Sequence, residues 1–253
     1  MSAPPAAPDL PATRLIFRED AYADAVEAEV IALHEGMLVL DRTLFYAASG
    51  GQPSDTGTIM GPDGQTLPLA GLRYLDAAKT VIGHALPEGA DAAALLGARL
   101  TLRLDFARRH RLMRMHTALH LLSVVLPYPV TGGAISEEES RLDFDIPDAG
   151  LDRDEISARL NALIATDAEV RDRWITEAEL DANPGLVKTM SVKPPRGAGR
   201  VRLVEIAEPG RTPLDLQPCG GTHVRATGEI GRIGVTQIEK KGKQNRRVRI
   251  AFA

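Results

Sequence analysis

The sequence is poor in cysteine, in aromatic residues and in long apolar runs, and each shortage excludes a class of protein. Cys219 is the one cysteine in 253 residues, so an intramolecular disulfide, and with it a disulfide-stabilised secreted scaffold, is excluded. No apolar run reaches the roughly 18 residues of a membrane span, and the first residues lack the basic and apolar regions of a signal peptide. Five Phe, four Tyr and one Trp are too few for a protein that stacks single-stranded bases on aromatic side chains. We therefore expect a cytoplasmic protein with no membrane partner.

The net charge of −4 is distributed unevenly along the chain. Residues 1–105 carry 7 basic and 14 acidic side chains, residues 106–182 carry 9 and 15, and residues 183–253 carry 14 and 5. The last quarter is therefore basic, as expected of a segment that contacts a polyanion. Its densest cluster, on a predicted turn and strand, comprises Lys240, Lys241, Lys243, Arg246, Arg247 and Arg249. A solvated basic hairpin without a partner is the alternative interpretation.

The apolar pattern predicts two domains after a flexible tail over residues 1–12. Short alternating runs between turn residues predict an all-β domain over residues 13–105, in the form of a small β-barrel. Residues 106–253 predict an α+β domain with helices packed on an antiparallel sheet. The clearest predicted strands are 13–18, 28–33, 37–40, 99–104, 200–206, 231–239 and 247–252. Helices are predicted over about 109–126 and 152–167, and a third, short one after the capping box Thr176–Glu179.

Two short motifs contain the residues best suited to bind a metal. His116 and His120 are four positions apart on the first predicted helix, at the edge of its buried face, so both imidazoles lie on one side, one turn apart. Cys219 and His223 flank two glycines that allow a tight turn. Together they form a nitrogen and sulfur donor set suited to tetrahedral Zn²⁺. Thr117 occupies the position at which zinc peptidases of the His-Glu-x-x-His type carry their Glu general base. The motif is therefore not that of a zinc peptidase of this type.

The same motifs are compatible with either a structural or a catalytic zinc site. Four protein ligands favour a structural site, because catalytic zinc usually keeps one position for water. Two features favour catalysis: the histidines lie on a helix rather than in a loop, and glycine-rich segments accompany the motifs. Thr131–Gly133 and Gly220–Gly221 would place backbone N–H groups near an ester or ribose oxygen.

The motifs, taken in order, resemble those of a known family. His116-Thr-Ala-Leu-His120-Leu-Leu, Arg141-Leu-Asp-Phe-Asp and Cys219-Gly-Gly-Thr-His223 are similar to the editing domain of alanyl-tRNA synthetase and to the free-standing alanyl-tRNA editing (AlaX) proteins. Phe45-Tyr46 and Gly50-Gly-Gln-Pro-Ser-Asp55-Thr-Gly57 resemble the glycine-rich motif of the β-barrel that precedes this domain in the synthetase and in medium-length free-standing forms. The resemblance runs from about residue 14 to 252.

The resemblance implies a hydrolase that removes serine, and glycine as a second candidate, from mischarged tRNA for alanine in trans. It implies Zn²⁺ as cofactor, with the ligands His116, His120, Cys219 and His223. The residues expected to bind the substrate are Thr131, Gly132, Gly133, Gly220, Gly221 and Thr222, with Thr131 the candidate contact for the serine hydroxyl. The residues expected to bind tRNA are Gly50, Gly51, Asp55, Gly57, Lys240, Lys241, Lys243, Arg246 and Arg247. We expect a monomer.

No side chain is assigned as the catalytic base. Aminoacyl esters hydrolyse readily, so the enzyme has mainly to position water and stabilise the oxyanion. Zinc would either activate that water or anchor the substrate while the terminal ribose of the tRNA assists. The alternative functions are a tRNA- or RNA-binding module with a purely structural zinc, and a zinc hydrolase acting on another small ester.

Overall fold

The computed structural model describes residues 10–146, 150–188 and 199–253. Most of the expected tail over residues 1–12 lies outside these ranges. The chain forms two compact units, the first comprising Met1–Ala48 and Ser54–Arg109, the second Ser49–Pro53 and His110–Ala253. The short segment Ser49–Pro53, in the middle of the glycine-rich motif, therefore belongs to the second unit, although the residues on either side belong to the first.

The first unit is built from short strands. They are β1 (Arg14–Leu15), β2 (Ala25–His34), β3 (Met37–Leu40), β4 (Arg42–Thr43), β5 (Gly57–Met60), β6 (Thr66–Pro68), β7 (Gly71–Tyr74), β8 (Ile82–Ala85) and β9 (Arg99–Leu104). Seven of them form one antiparallel sheet in the order β6-β5-β9-β2-β3-β8-β7, and β1 pairs in parallel with β4. A bulge at Val30–Ala32 divides β2, whose first half pairs with β9 and whose second half pairs with β3.

The expected closed barrel is not found, because this sheet stays open within the described residues. Its two edge strands, β6 and β7, follow each other in the chain and do not pair with one another. Pro68 ends β6 and has no N–H to offer a further strand. The predicted strand over residues 13–18 is also mostly absent, since Ile16–Arg18 form a 3₁₀ turn whose first carbonyl, that of Ile16, accepts from the N–H groups of Glu19 and Asp20.

The apolar side of the sheet forms the core of the first unit. Its buried members are Ala28, Val30, Leu38, Leu40, Leu44, Phe45, Ile59, Leu100 and Leu102. Phe17, carried by the 3₁₀ turn, packs edge-on against Tyr46 with ring centroids 5.3 Å apart. The core of the first unit therefore contains side chains from the sheet and the Phe17 ring from the 3₁₀ turn.

The second unit has the α+β organisation that the sequence predicts. Helix α1 (Phe106–Val125) leads into β10 (Val130–Ala134), β11 (Glu139–Asp145), α2 (Arg153–Ile164), β12 (Glu169–Thr176), α3 (Glu177–Ala182), β13 (Arg200–Ala207), β14 (Asp215–Pro218), β15 (Ile233–Lys240) and β16 (Asn245–Phe252). The strands form two antiparallel sheets, β10-β11-β16-β15 and β12-β13-β14. Asn161 of α2 donates to the Ile233 carbonyl of β15 and accepts from its N–H, at 2.6 and 3.0 Å, which ties the helix to the sheet.

Local capping explains where the helices begin. Asp105 accepts from the N–H of Arg108 at 3.1 Å, so α1 begins three residues earlier than its leucine spacing predicts. Asp152 caps α2 through the N–H groups of Asp154 and Glu155. The predicted capping box between Thr176 and Glu179 is present at the start of α3. No helix in the described ranges has the length and apolar character needed to cross a membrane.

Candidate metal site

Helix α1 carries the first two candidate ligands through the interior of the second unit. Every residue from Met115 to Ser123 is buried. This differs from the expected position of the histidines at the edge of a buried face, because the helix is covered on all sides along this stretch. His116 and His120 are 8% and 7% exposed, and their rings lie 5.2 Å apart between centroids.

The other two candidate ligands lie in the turn that follows β14. The Arg202 guanidinium donates to the carbonyls of Cys219 and Gly221 at 3.0 and 2.8 Å and so fixes the shape of this turn. A Cβ on Gly221 would lie 2.3 Å from Cε1 of His116, whereas one on Gly220 would meet open space. Glycine is therefore required at the second position by the close approach of the His116 ring.

The four candidate ligands converge on one point. Their donor atoms all lie within 4.8 Å of one another. The sulfur of Cys219 is 3.4 Å from Nε2 of His116 and 3.2 Å from Nε2 of His223. The three histidines are buried and the cysteine is partly buried. The group could hold a metal ion, and three imidazoles with one thiolate form a donor set that suits Zn²⁺.

Each of the three rings is held through its other nitrogen, Nδ1. That of His116 meets Oε1 of Gln52 at 3.0 Å, and that of His120 meets Oδ2 of Asp215 at 2.8 Å. Nδ1 of His223 meets Oγ1 of Thr117 at 3.1 Å. Carboxylate, carbonyl and hydroxyl partners behind metal-binding imidazoles are typical of metal sites, because they fix the tautomer and the ring orientation.

The hydrogen bonds of Thr117 show which tautomer His223 adopts. The Thr117 hydroxyl donates its proton to the Met113 carbonyl at 3.0 Å. It can then only accept from His223, so Nδ1 of His223 carries the proton and the lone pair of Nε2 is left for a metal ligand bond. The carboxylate of Asp215 imposes the same arrangement on His120.

The electrostatics of the group favour a thiolate. Burial by itself raises the pKa of the Cys219 thiol, but His116 and His223 outweigh it, and the pKa lies well below its usual value. Burial, with His116 nearby, lowers the pKa of His223 well below its ordinary value. A deprotonated sulfur beside a neutral imidazole is the state that binds a metal.

His120 behaves differently because Asp215 lies behind it. Burial would lower the pKa of His120, but its hydrogen bond to Asp215 and the nearby Cys219 sulfur raise the pKa to about 9. Burial would likewise raise the pKa of Asp215, but His120 and Lys188 lower it to about 2. Asp215 and Cys219 thus favour the protonated imidazole of His120, so a metal at this position would compete with a proton for the ring.

The glycine-rich motif divides between the two units. Gly50 and Gly51 have positive φ values of 59° and 86°, and the Gly51 carbonyl accepts from the N–H of Ile135 at 2.9 Å, just after β10. The neighbouring Gln52 is 2% exposed and reaches the metal group. This half of the motif thus contacts the candidate metal site through Gln52.

The other half of the motif belongs to the first unit, where Asp55 is buried and Gly57 is partly buried. Asp55 is 4% exposed and forms an ion pair with Arg109, whose Nε lies 2.8 Å from Oδ1. A Cβ on Gly57 would lie 2.2 Å from the Arg103 carbonyl. The Asp55 carboxylate is therefore engaged inside the protein, and Gly57 has no room for a side chain.

The residues expected to bind the substrate occupy two places. Gly132 and Gly133 lie in β10 opposite Asp143 and Leu142 of β11. The Thr131 hydroxyl donates to the Asp143 carbonyl at 3.2 Å and accepts from Asn245 at 2.9 Å. Gly220, Gly221 and Thr222 belong to the turn of the metal group, where the Thr222 N–H donates to Gln52 at 3.1 Å.

The predicted basic hairpin is formed by β15, its turn and β16, and part of its charge is already paired. Arg247 pairs with Asp143 at 2.8 Å, and Lys241 pairs with Glu239 at 2.9 Å. The guanidinium of Arg246 bonds to the turn carbonyls of Gly242, Lys243 and Asn245. Within the described ranges, Lys240 and Lys243 form no ion pair and both are exposed.

Sequence reasoning missed the residues that support the ligands. They are Gln52, Thr117, Arg202, Asp215 and Gln217, the last of which donates to Asp215 at 2.8 Å. The sequence pattern around Gln52 could have identified it, since it lies inside the glycine-rich motif. No local pattern identifies Asp215 or Arg202, because their contacts with the site arise from strand pairing between distant parts of the chain.

Two family models match parts of the chain. Residues 201–249 match the family described as "Threonyl and Alanyl tRNA synthetase second additional domain", and residues 16–84 match "tRNA synthetases class II (A)". The chain is 33% identical over 243 residues to an alanine–tRNA ligase of Pyrobaculum aerophilum, covering 92% of this chain but 26% of the ligase. It thus spans about a quarter of that relative.

Free-standing relatives match along nearly their whole length. The alanyl-tRNA editing protein AlaX-M of Methanosarcina mazei is 34% identical over 248 residues, which is 93% of this chain and 95% of that protein. AlaX-M of Saccharolobus solfataricus is 30% identical over 241 residues, 93% and 97% of the two chains. The chain therefore belongs to the AlaX-M family of alanyl-tRNA editing proteins.

Proposed function

We propose that this protein is a trans-editing hydrolase that removes serine, with glycine as a second candidate, from mischarged tRNA for alanine. The observation that carries the proposal is the buried group of three imidazoles and one thiolate, with donor atoms within 4.8 Å of one another. It occurs in a chain that spans 95% of a protein named for alanyl-tRNA editing.

Zinc is the metal that the donor set favours. Its ligands would be His116, His120, Cys219 and His223, since all three imidazole Nδ1 atoms are held by the protein and their Nε2 atoms remain. Hard cations such as Mg²⁺ prefer oxygen ligands, which this group does not offer. When bound, zinc would supply Lewis-acid activation at the ester or at the attacking water.

The turn between Cys219 and His223 would bind the ester oxygen. Arg202 occupies two of its carbonyls, and Gln52 occupies the Thr222 N–H. Within the described residues the N–H groups of Gly220 and Gly221 donate no hydrogen bond. Two such donors on a fixed turn suit an oxyanion that develops as water adds to the ester carbonyl. The bond between that carbonyl carbon and the ribose oxygen then breaks, releasing the amino acid and the tRNA hydroxyl.

A tRNA partner is supported by the relatives and by the basic hairpin. Lys240 and Lys243 are the hairpin charges that are exposed and without an ion pair among the described residues. Lys241, Arg246 and Arg247 bear charge next to them but are engaged within the protein. We assign the phosphate contacts mainly to the two lysines, and Thr131 stays the candidate for the serine hydroxyl.

The direct test is deacylation of seryl-, glycyl- and alanyl-tRNA for alanine by the purified, zinc-loaded protein. We expect release of serine or glycine well above the rate without enzyme, and little release of alanine. If the protein left both mischarged tRNAs intact under conditions where it binds zinc and tRNA, the editing proposal would fail.

A tRNA-binding module with a structural zinc is the second candidate, favoured by the count of four protein ligands. His116→Ala separates the two. Loss of deacylation with the fold and tRNA binding retained supports catalysis at the metal. Unfolding of the second unit supports a structural metal.

A further inference from the structure

We infer that Gln52 is a positioning residue for the metal, which holds His116 in the tautomer and orientation that present Nε2. The inference rests on the proposed metal site and adds a member from a distant part of the chain. Gln52 precedes His116 by 64 positions and reaches it from the glycine-rich motif.

The hydrogen bonds around Gln52 fix which way its amide points. The Thr222 N–H can only donate, and it lies 3.1 Å from Oε1 of Gln52. The Gln52 Nε2 lies 2.8 Å from the Thr222 hydroxyl, which can accept. The amide oxygen therefore faces the Thr222 N–H and the amide nitrogen faces its hydroxyl.

This orientation decides the tautomer of His116. The same Oε1 lies 3.0 Å from Nδ1 of His116. Because an amide oxygen can only accept, Nδ1 must carry the proton, and Nε2 keeps its lone pair toward the metal and the Cys219 sulfur. Gln52 thus connects one ligand, His116, to the turn that carries two others, through Thr222.

The site gives the amide little room to move. Gln52 is 2% exposed, and a Cβ on Gly221 would lie 2.6 Å from its Oε1 and 2.6 Å from Nδ1 of His116. The backbone is held as well, since Ser49 and Gln52 exchange both N–H to carbonyl bonds at 3.1 and 3.0 Å. Gly51, next to it, accepts from Ile135. Because its backbone and its side-chain amide are both already held, Gln52 loses little conformational entropy when it orders the His116 ring.

His116 differs from the other two histidines in the origin of its support. Thr117 holds His223 from the helix that carries two ligands, and Asp215 holds His120 from the strand that leads into the Cys219 turn. Only the support of His116, among these three, comes from the segment Ser49–Pro53. The glycine-rich motif therefore contributes to metal binding itself.

The test is metal affinity rather than activity. The full-length protein is stripped of metal, and its affinities for Zn²⁺ and Co²⁺ are measured by competition with a chelator and by the Co²⁺ absorption spectrum. Gln52→Leu keeps much of the volume but removes the acceptor, and we expect an affinity loss of about 10- to 100-fold. Gln52→Glu keeps an acceptor oxygen, so it should lose less.

Two controls separate positioning from general damage. Gln237→Leu makes the same chemical change at an exposed site on β15 and should leave affinity unchanged. Thr222→Val removes the hydroxyl but leaves its N–H and the His116 contact, so it should lose less than Gln52→Leu. Long-range ¹H–¹⁵N spectra should show the His116 ring protonated on Nδ1 in the wild type and redistributed in Gln52→Leu. A purely structural role would not move this signature.

The outcomes distinguish this inference from the proposed function. If the wild type binds zinc and deacylates mischarged tRNA while Gln52→Leu binds zinc equally well, the inference is overturned and the function stands. If wild type binds zinc, Gln52→Leu binds it weakly and no tRNA is deacylated, the inference stands and the function fails. If Gln52→Leu does not fold, equal metal affinity of Gln52→Glu and Gln52→Ala overturns the inference. A wild type without metal affinity overturns both.

Discussion

Both units of the chain contain buried histidines, but they differ in the partner of the second ring nitrogen of each histidine. In the first unit His84 is fully buried, and both nitrogens have partners: Nδ1 with the Leu38 carbonyl at 3.2 Å and Nε2 with the Thr43 hydroxyl at 2.8 Å. In the second unit His116, His120 and His223 have protein partners at Nδ1, while their donor atoms meet a thiolate. Both units bury histidine, but ring nitrogens that face one another and the Cys219 sulfur distinguish the candidate metal site.

The same contrast holds for buried charge. The Asp55–Arg109 pair of the first unit is closed on itself, because Arg109 also donates to the carbonyls of Leu44 and Ala21, and Asp55 accepts from the Tyr46 N–H. The Cys219 thiolate instead lies among the imidazoles of His116, His120 and His223, whose donor atoms all lie within 4.8 Å of one another and of the sulfur. A buried cluster that satisfies all its groups stabilises a fold, whereas one with converging lone pairs needs a ligand.

The largest effect should come from removing a converging donor. Cys219→Ala deletes the thiolate, and we expect zinc affinity to fall by more than the ~10–100-fold typical of a supporting residue. Competition with a chromophoric chelator measures it. His84→Gln is the matched control in the first unit and should leave affinity unchanged. Equal affinity of Cys219→Ala and the wild type would show that the metal binds elsewhere.

The next effect concerns the closed ionic pair of the first unit. Asp55→Ala leaves the Arg109 guanidinium buried without its counter-charge, and we expect a loss of about 3–5 kcal/mol in the free energy of unfolding. Urea denaturation with a chelator present measures it.

The double variant tests whether charge compensation is the cause. Asp55→Leu combined with Arg109→Met removes both charges and should recover much of the loss. A single-variant loss below about 1 kcal/mol, the usual value of a surface pair, would contradict a buried pair.

A third prediction uses pH to separate the two kinds of buried histidine. Burial lowers the pKa of His84 to about 4, so the unfolded chain takes up this proton first as the pH falls. The stability that neutral His84 provides is fully present above pH ~6.5 and is lost as the pH falls toward 4, by roughly 3 kcal/mol for a gap of about 2.5 units.

His84→Gln should flatten the dependence of stability on pH over that window. Unfolding is measured from pH 7 to 4 in chelator, so that the histidines of the metal site are in the same state in both proteins. Parallel curves for the variant and the wild type would show that His84 does not titrate between these limits.

The sequence predicts well what depends on local spacing. The i and i+4 histidines of α1, the Cys219 to His223 turn, the capping box at Thr176 and the basic hairpin each follow from neighbouring residues, and each is present. The α+β organisation follows because the helical and strand periods of the second unit are clear.

The sequence does not predict what depends on distant pairing. The open sheet of the first unit could not be told from a barrel, because closure depends on whether edge strands such as β6 and β7 meet. The burial of Asp55 depends on Arg109, 54 positions later. Gln52 and Asp215 lie 64 and 95 positions from the rings that they hold, distances over which no local pattern operates.

The smallest expected effect extends the contrast between satisfied and unsatisfied groups to the surface. Lys240 and Lys243 have no ion pair among the described residues, whereas Arg247 is paired with Asp143. Replacing both lysines by Ala should lower the slope of log K for tRNA against log salt by about 1 for each phosphate that is no longer neutralised. Arg247→Ala should change that slope less, since Asp143 already neutralises the guanidinium. Binding titrations at several salt concentrations measure it, with zinc affinity as the control. An equal change in slope for both variants would show that Arg247 contacts the tRNA despite its ion pair with Asp143. Because both changes remove positive charge from the same hairpin, an unchanged slope in the double lysine variant would show that the hairpin is a solvated surface without a tRNA contact.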